Sequence, residues 1–400
     1  MNRIVVIGAG QAGASLVAKL RNLGFSGQIT LIGAEPVLPY QRPPLSKAYL
    51  LGEMALERLF LRPESFYADQ KIDLRLGQPV TAIDPVARRI TLGTDTLPYD
   101  ALALTTGSVP RQLPAQIGGQ LEGVHLVRDL ADADAMGPRF QRGARAVIVG
   151  GGYIGLEAAA VAAKKGLDVT VLEMAPRILQ RVAAAETADA IRALHQAHGV
   201  RILEATGLKQ IEGAERVEAV TLSDGRRLAA DFVIAGIGIV PQTALAEAAG
   251  LRIENGIRTD AQGRTSDTHI WAAGDCASFP WRGAQLRLES VQNAIDQAEL
   301  VAENIMDAGK EYAPVPWFWS DQYDLKLQIA GLNTGYDRVI PRIGDTRSHW
   351  YFVGDRFIAV DALNDPRAFM VGKRLLEQGK SPDPARLADP ATELKALLKP

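Results

Sequence analysis

The chain has 400 residues, 47% of them hydrophobic and 22% charged, with a formal net charge of −2. That length fits two or three domains at about 100–200 residues each, and the composition excludes a disordered or fibrous chain. The balance of 46 acidic against 44 basic residues excludes a nucleic-acid or anionic-membrane binder. Glycine is abundant, at 38 residues, and there is one cysteine, Cys276. A lone cysteine excludes an internal disulfide, a redox-active dithiol and a cysteine-ligated iron–sulfur cluster.

The opening segment, residues 4–13, reads IVVIGAGQAG: a β-branched run ending in glycines spaced G-x-G-x-x-G at Gly8, Gly10 and Gly13. The short apolar run breaks at Gly8 and Gln11 with no cleavage pattern after it, so a cytoplasmic location is expected rather than a secretory leader. The longest apolar run, residues 232–241, is far below the roughly 20 residues of a membrane helix. A helix is predicted over 15–23 and a strand over 29–32. Residues 146–155, AVIVGGGYIG, repeat the pattern with Gly150, Gly152 and Gly155, then a predicted helix over 156–165 and a strand over 169–172. In such turns the first glycine permits the reversal, the second lets backbone approach a pyrophosphate, and the third lets helix and strand pack closely. The phosphates then meet the positive end of the helix. Two copies therefore predict two bound dinucleotides, and no metal site is expected.

An acid about 20 residues beyond such a turn binds a ribose diol and repels a 2′-phosphate. Glu173 stands at that place in the second copy, favouring NADH over NADPH. Glu35 is its counterpart in the first, one position later than strand geometry would put it. Segments 95–110 and 224–242 each lead from a charged turn through an apolar strand to glycine and proline. They are expected to join an outer dinucleotide unit to an inserted one, with residues 265–276 returning to the outer unit. After Pro314 the aromatic run 317–319 and the runs 328–332 and 350–361 predict antiparallel strands. The expected fold is α/β: two Rossmann-like dinucleotide-binding domains, the second inserted in the first, plus a C-terminal α+β domain. Expected boundaries are 1–109 with 241–314, then 110–240, then 315–400.

Taken together, residues 5–13, RPPLSKAYL at 42–50, TTG at 105–107, VIVGGGYIGLE at 147–157, AGIGIVPQ at 235–242, AAGDCA at 272–277, ESVQNA at 289–294 and PWFWSDQYD at 316–324 resemble one family. It is that of the FAD-containing, NADH-dependent ferredoxin reductases of bacterial cytochrome P450 and dioxygenase systems, which have a glutathione-reductase-like architecture. The resemblance implies FAD on the first unit, contacted by Gly8, Gly10, Ala12, Gly13, Ala34, Glu35, Arg42, Lys47, Val80, Thr106, Gly107, Arg128, Asp275, Val291 and Trp319. It implies NADH on the second, at Gly150, Gly152, Tyr153, Ile154, Gly155, Glu173, Arg181 and Gly238. Lys47, held by Glu157, would serve catalysis at the flavin, since a cation there favours negative charge on the reduced ring. The family has an acid where this chain has Ala34, which leaves Glu35 or backbone groups for the adenosine end.

Disulfide reductases of this architecture carry a C-x4-C pair where this chain has residues 42–47. Electrons must therefore leave for an external acceptor, and the resemblance names an acidic [2Fe-2S] ferredoxin that feeds a cytochrome P450 or related oxygenase. Arg287, Lys326, Arg338, Arg342 and Arg347 are candidates for its docking. Other acceptors are weighed too: oxygen or a quinone, a nitrite reductase component, or none, as in an apoptosis-inducing-factor-like redox sensor. Cys276 is expected to be a small apolar filler.

Overall fold

The structure is a computed structural model, described here for residues 1–398. It divides into two compact units, each drawn from three stretches of chain. The first comprises Met1–Gln41, Ala55–Val109 and Ile239–Pro314. Its centre is a parallel five-stranded sheet in the order Ile270–Ala272, Ala101–Leu104, Arg3–Ile7, Gln28–Ile32, Ile72–Arg75. The strands read as apolar runs because helices cover such a sheet. Helices Gln11–Asn22 and Val291–Ile305 share one core with it, built from Val6, Leu16, Leu20, Ala298 and Val301. A three-stranded antiparallel sheet, Val80–Asp84, Arg89–Leu92 and Asp95–Pro98, belongs to the same unit.

The second unit comprises Arg42–Met54, Pro110–Gly238 and the chain from Val315 onward. Its parallel sheet runs Arg201–Leu203, Asp168–Leu172, Arg145–Val149, Phe232–Ala235, Val124–His125. Residues 42–54, expected with the first dinucleotide unit, group here instead. Leu50 and Leu51 join the core of Ile148, Ala158 and Phe232, and burial decides where a short segment belongs. The unit also holds an antiparallel sheet in the order Trp317–Gln322, Leu325–Gly331, Arg356–Leu363, Arg347–Val353, Arg338–Ile343. Trp350, Phe352 and Val360 of that sheet pack with Leu375 and Leu376 of helix Pro366–Glu377.

Three boundaries differ from the sequence reading. Both nucleotide helices begin at once after the second glycine of their turns, at Gln11 and Tyr153, rather than at 15 and 156. The third glycine therefore lies inside the first helical turn. Residues 350–361 are not one strand but two, reversing at Gly354 with φ +56°.

Candidate dinucleotide-binding and redox site

Both glycine turns divide their work the same way. Gly8 has φ +112°, and a Cβ there would lie 2.2 Å from the Thr105 carbonyl oxygen. A Cβ on Gly13 would lie 2.0 Å from the Gly8 oxygen. In the second copy Gly150 has φ +109° with the Gly236 oxygen 2.3 Å from its Cβ position, and Gly155 meets the Gly150 oxygen at 2.2 Å. No side chain fits any of the four places. Around Gly10 and Gly152, by contrast, no described residue beyond their chain neighbours lies within 4 Å of a Cβ position, so these two glycines serve no internal packing. Each helix also starts without a side-chain cap and without an acid in its first turn. Open space in front of uncapped N–H groups is what a pyrophosphate needs. The residues present fit two dinucleotides.

The acids differ. Glu173 Oε2 accepts a 2.8 Å hydrogen bond from the Gly151 N–H, and Oε1 accepts one of 2.7 Å from Ala175 N–H. It sits directly after strand Asp168–Leu172 and is fixed on its own turn. The residue in that place in the first copy is Gly33: Gly33 N–H donates to Arg75 O as Glu173 N–H donates to Leu203 O. Glu35 therefore lies two positions beyond the equivalent site rather than one. Its Oε2 accepts a 2.6 Å bond from Tyr40 OH.

Elsewhere in the first unit, Ser108 Oγ donates to Asp275 Oδ2 at 3.0 Å. This joins the turn after Ala101–Leu104 to the turn after Ile270–Ala272, its neighbour in the sheet. Thr106 Oγ1 donates to Gln242 O at 2.7 Å, and Gly107 has φ +69°. Ala12 is buried on the nucleotide helix and Ala34 is exposed. The Val80 side chain is buried in one cluster with Ile83, Ile90 and Tyr99. Val291 is the first residue of its helix, capped by Ser290 Oγ, which accepts from Asn293 N–H.

In the second unit Ile154 is 43% exposed, whereas the Tyr153 ring packs 5.1 Å from Phe318. Tyr153 OH is buried and has no hydrogen-bond partner among the described residues. Gly238 has φ +95°, and the guanidinium of exposed Arg181 reaches to 4.0 Å from its Cβ position. Arg42 Nη1 donates to Arg128 O at 2.9 Å, while Arg128 N–H donates to Asp132, half of the capping box of helix Leu130–Met136. Trp319 is half-buried, with its ring 5.7 Å from Trp317.

Lys47 Nζ lies 3.0 Å from Glu157 Oε1. Lys47 directly follows the short helix Pro43–Ser46, and Glu157 opens the second turn of helix Tyr153–Lys164. Ser320 Oγ donates to Glu157 Oε1 at 2.7 Å and Ser46 Oγ to Oε2 at 3.2 Å. Burial pushes the Glu157 carboxyl up, opposed by the Lys47 charge and then by the donors Ser320, Lys47 and Ser46. The pair was legible in the motifs around it. The two serines were not, since nothing in a local pattern marks a serine as a carboxylate donor.

Residues 2–298 match the model of the pyridine nucleotide-disulphide oxidoreductases, and residues 317–398 match a reductase C-terminal domain. Rhodocoxin reductase of Rhodococcus erythropolis is 43% identical over 99% of this chain and 94% of its own. Putidaredoxin reductase of Pseudomonas putida is 40% identical, covering 99% and 97%. Among solved structures, a covalent putidaredoxin reductase–putidaredoxin complex superposes with a TM-score of 0.96 at 40% identity, over 99% of this chain and 98% of that one. A ferredoxin reductase from Rhodopseudomonas palustris gives 0.96 at 38% identity over the whole of both chains. The chain belongs to the pyridine nucleotide-disulphide oxidoreductase family.

Within that family this member has no dithiol of its own. Cys276 is fully buried, its Sγ 3.4–3.5 Å from the Ala273 and Leu104 oxygens, and burial pushes the thiol up. Two of the five basic residues considered for docking are committed to the fold. Arg287 is nearly buried and pairs with Glu289 at 2.6 Å. Arg342 spends its guanidinium on the carbonyls of Leu387, Asp389, Pro390 and Thr392. Lys326, Arg338 and Arg347 are exposed, with Arg338 Nη2 donating to Gly354 O at 2.7 Å. Among the described residues no helix is long and apolar enough to cross a membrane.

Proposed function

We propose that the protein is an NADH:ferredoxin oxidoreductase that holds FAD on its first glycine turn and takes NADH on its second. FAD supplies the chemistry, accepting a hydride and releasing electrons singly, so that NADH and two oxidised ferredoxins give NAD⁺, two reduced ferredoxins and a proton. One observation carries the reading: two turns whose first and third glycines are packed shut and whose middle glycines stand open, in a chain whose only thiol is buried. The full-length likeness to rhodocoxin and putidaredoxin reductases supports it.

The chain's own residues bind, orient and set charge. Gly8, Gly10, Ala12 and Gly13 cradle the FAD pyrophosphate, with Glu35 at the adenosine ribose and Asp275, held by Ser108, on the polar chain. Ala34, Arg42, Val80, Thr106, Gly107, Arg128, Val291 and Trp319 complete the flavin contacts. Gly150, Gly152, Tyr153, Ile154 and Gly155 take the NADH pyrophosphate, Glu173 its ribose diol, and Arg181 and Gly238 the remainder. Lys47, fixed by Glu157, presents positive charge to the flavin ring.

The acceptor is an acidic [2Fe-2S] ferredoxin, met by exposed cations such as Lys326, Arg338 and Arg347, and it feeds a cytochrome P450 or related oxygenase in the cytoplasm. The test is anaerobic mixing of the holoenzyme with NADH, followed by a set of purified ferredoxins. NADH should bleach the flavin band, and at least one ferredoxin should be reduced far faster than oxygen or quinones. A flavin band that stays unbleached sinks the proposal.

A further inference from the structure

A line of buried polar groups continues from Glu157 on the side away from Lys47. Ser320 Oγ is 2.7 Å from Glu157 Oε1, and Gln322 Nε2 is 3.1 Å from Ser320 Oγ. Gln322 Oε1 is then 2.8 Å from His195 Nε2, and His195 Nδ1 is 3.2 Å from Tyr323 OH. Ser320 and His195 are 0% exposed and Gln322 is 1% exposed. Strand Trp317–Gln322 supplies 320 and 322 on one face, as its period of two requires, and helix Ala185–Ala197 supplies His195. At the outer end the Tyr323 ring stacks 3.7 Å from the ring of exposed His198.

Counting protons gives this line a direction. Ser320 has one hydroxyl proton, and the ionised Glu157 carboxylate can only accept, so that proton points at Glu157. Ser320 must then accept from Gln322, which aims the amide N–H₂ at Ser320 and the amide oxygen at His195. The oxygen needs a donor, so His195 carries its proton on Nε2. Its bare Nδ1 accepts from Tyr323 OH. Every bond in the chain donates toward Glu157.

We propose that Gln322, His195 and Tyr323 are positioning residues that act through Ser320: their one-way hydrogen-bond chain keeps buried Glu157 ionised and so keeps Lys47 charged and in place. The proposal rests on Lys47 and Glu157 being the flavin-edge pair. Among the described contacts Lys47 is the charged group facing Glu157, and the other titratable groups along the line are His195, Tyr323 and His198. Burial holds His195 down at about 4 and pushes the Tyr323 hydroxyl up, so both stay neutral and the direction holds at physiological pH. A glutamine amide is a poor proton carrier, which makes the chain a device for fixing charge rather than a conduit.

Two measurements on the FAD-loaded enzyme test it. The first is nitrogen-15 NMR of labelled histidines. His195 should show the Nε2–H tautomer with no titration between about pH 5.5 and 8, and Ser320→Ala should release a second tautomer. A proton on Nδ1, or titration near the free-histidine value, overturns the proposal even if no variant folds. The second is the pH dependence of the flavin midpoint potential and of anaerobic reduction by NADH. Losing a charge-assisted donor should move the Glu157-linked break upward by about one pH unit in Ser320→Ala. Gln322→Leu and His195→Phe should move it the same way by less, and Ser320→Thr should restore it. Profiles that superimpose on wild type overturn the relay alone. A wild-type enzyme whose flavin NADH does not reduce overturns the function proposed above, while the histidine spectrum still decides the direction of the chain.

Discussion

Residues 8–13 and 150–155 can be laid over one another glycine for glycine, yet the side chains around them take opposite solutions. In the first copy the residue after the leading glycine is Ala9, and the place after the second strand is Gly33. A Cβ on Gly33 would lie 2.8 Å from the Ala9 methyl. In the second copy these places are Gly151 and Glu173, and a Cβ on Gly151 would meet Ile178 at 2.7 Å and Glu173 Oε2 at 3.1 Å. One small space holds either the methyl of residue 9 or the carboxylate of residue 173, never both. The first turn therefore has no room for an acid over its own backbone, and Glu35, held by Tyr40, stands two positions further along. Two turns of one shape thus place their nearest acids at different distances from the glycines.

Both turns are most sensitive at the glycines that they pack shut. Gly8→Ala or Gly150→Ala places a Cβ within 2.2–2.3 Å of a carbonyl oxygen at positive φ, and should lower stability by at least about 2–4 kcal/mol. A chemical denaturation midpoint equal to wild type would contradict the division of labour. Gly10→Val and Gly152→Val should do the reverse: melting of the apoprotein stays within a few degrees of wild type. The first should lose FAD retention, and the second should raise the Kd for NADH by more than tenfold, as read by equilibrium titration.

The exchange of space between the copies predicts a rescue. Gly33→Ala should cost about 1–3 kcal/mol through overpacking, and adding Ala9→Gly should return most of it. Additive losses in that double-mutant cycle would show that the two residues do not share the space. In the second copy, Glu173→Ala should weaken NADH and bring NADPH to within about tenfold of it, measured as kcat/KM for each. Glu35→Ala should have the smaller effect on its own nucleotide, because that acid stands off the turn.

Acid provides the mildest separation. Burial holds His195 and His349 at about 4, whereas free histidine titrates near 6.5. Their contribution is therefore complete above about pH 6.5 and declines as pH falls toward 4, because only the unfolded chain takes up those protons. Asp361, pushed by burial to about 6, runs the other way, gaining stability as pH falls from 6 toward 3.8. Two histidines against one aspartate leave a net loss on acidification. All three lie in the second unit. Hydrogen exchange at pH 5 against pH 7, corrected for the intrinsic rate, should accelerate in residues 185–197 and 347–363 while residues 3–32 hold. Equal acceleration in both units would remove the distinction.

The dinucleotide turns were readable because everything they need is local. Gly8, Gly10, Gly13 and their second-copy partners fall within one strand-to-helix junction, where backbone sterics alone demand glycine. The motifs that flank Lys47 and Glu157 pointed to that pair as well. The offset of Glu35 was read one position short, because a strand end cannot be placed from propensity to within a residue, while the pairing of Ile7 with Ile32 places it. Place along the chain puts segment 42–54 with the first unit, and only the packing of Leu50 and Leu51 shows which core claims it.

What the order of residues determined by itself was the fold class, two glycine turns and the lack of a dithiol, since these follow from short-range spacing and from counting. Tertiary structure alone decided which distant groups share a proton or a charge. Ser320 reaches Glu157 across 163 positions and His195 reaches Gln322 across 127, and Glu173 closes on the Gly151 N–H only once the sheet brings strand end and turn together. Hydrogen bonds require partners within about 3 Å, and no one-dimensional pattern encodes a distance between residues that meet only after the chain has folded.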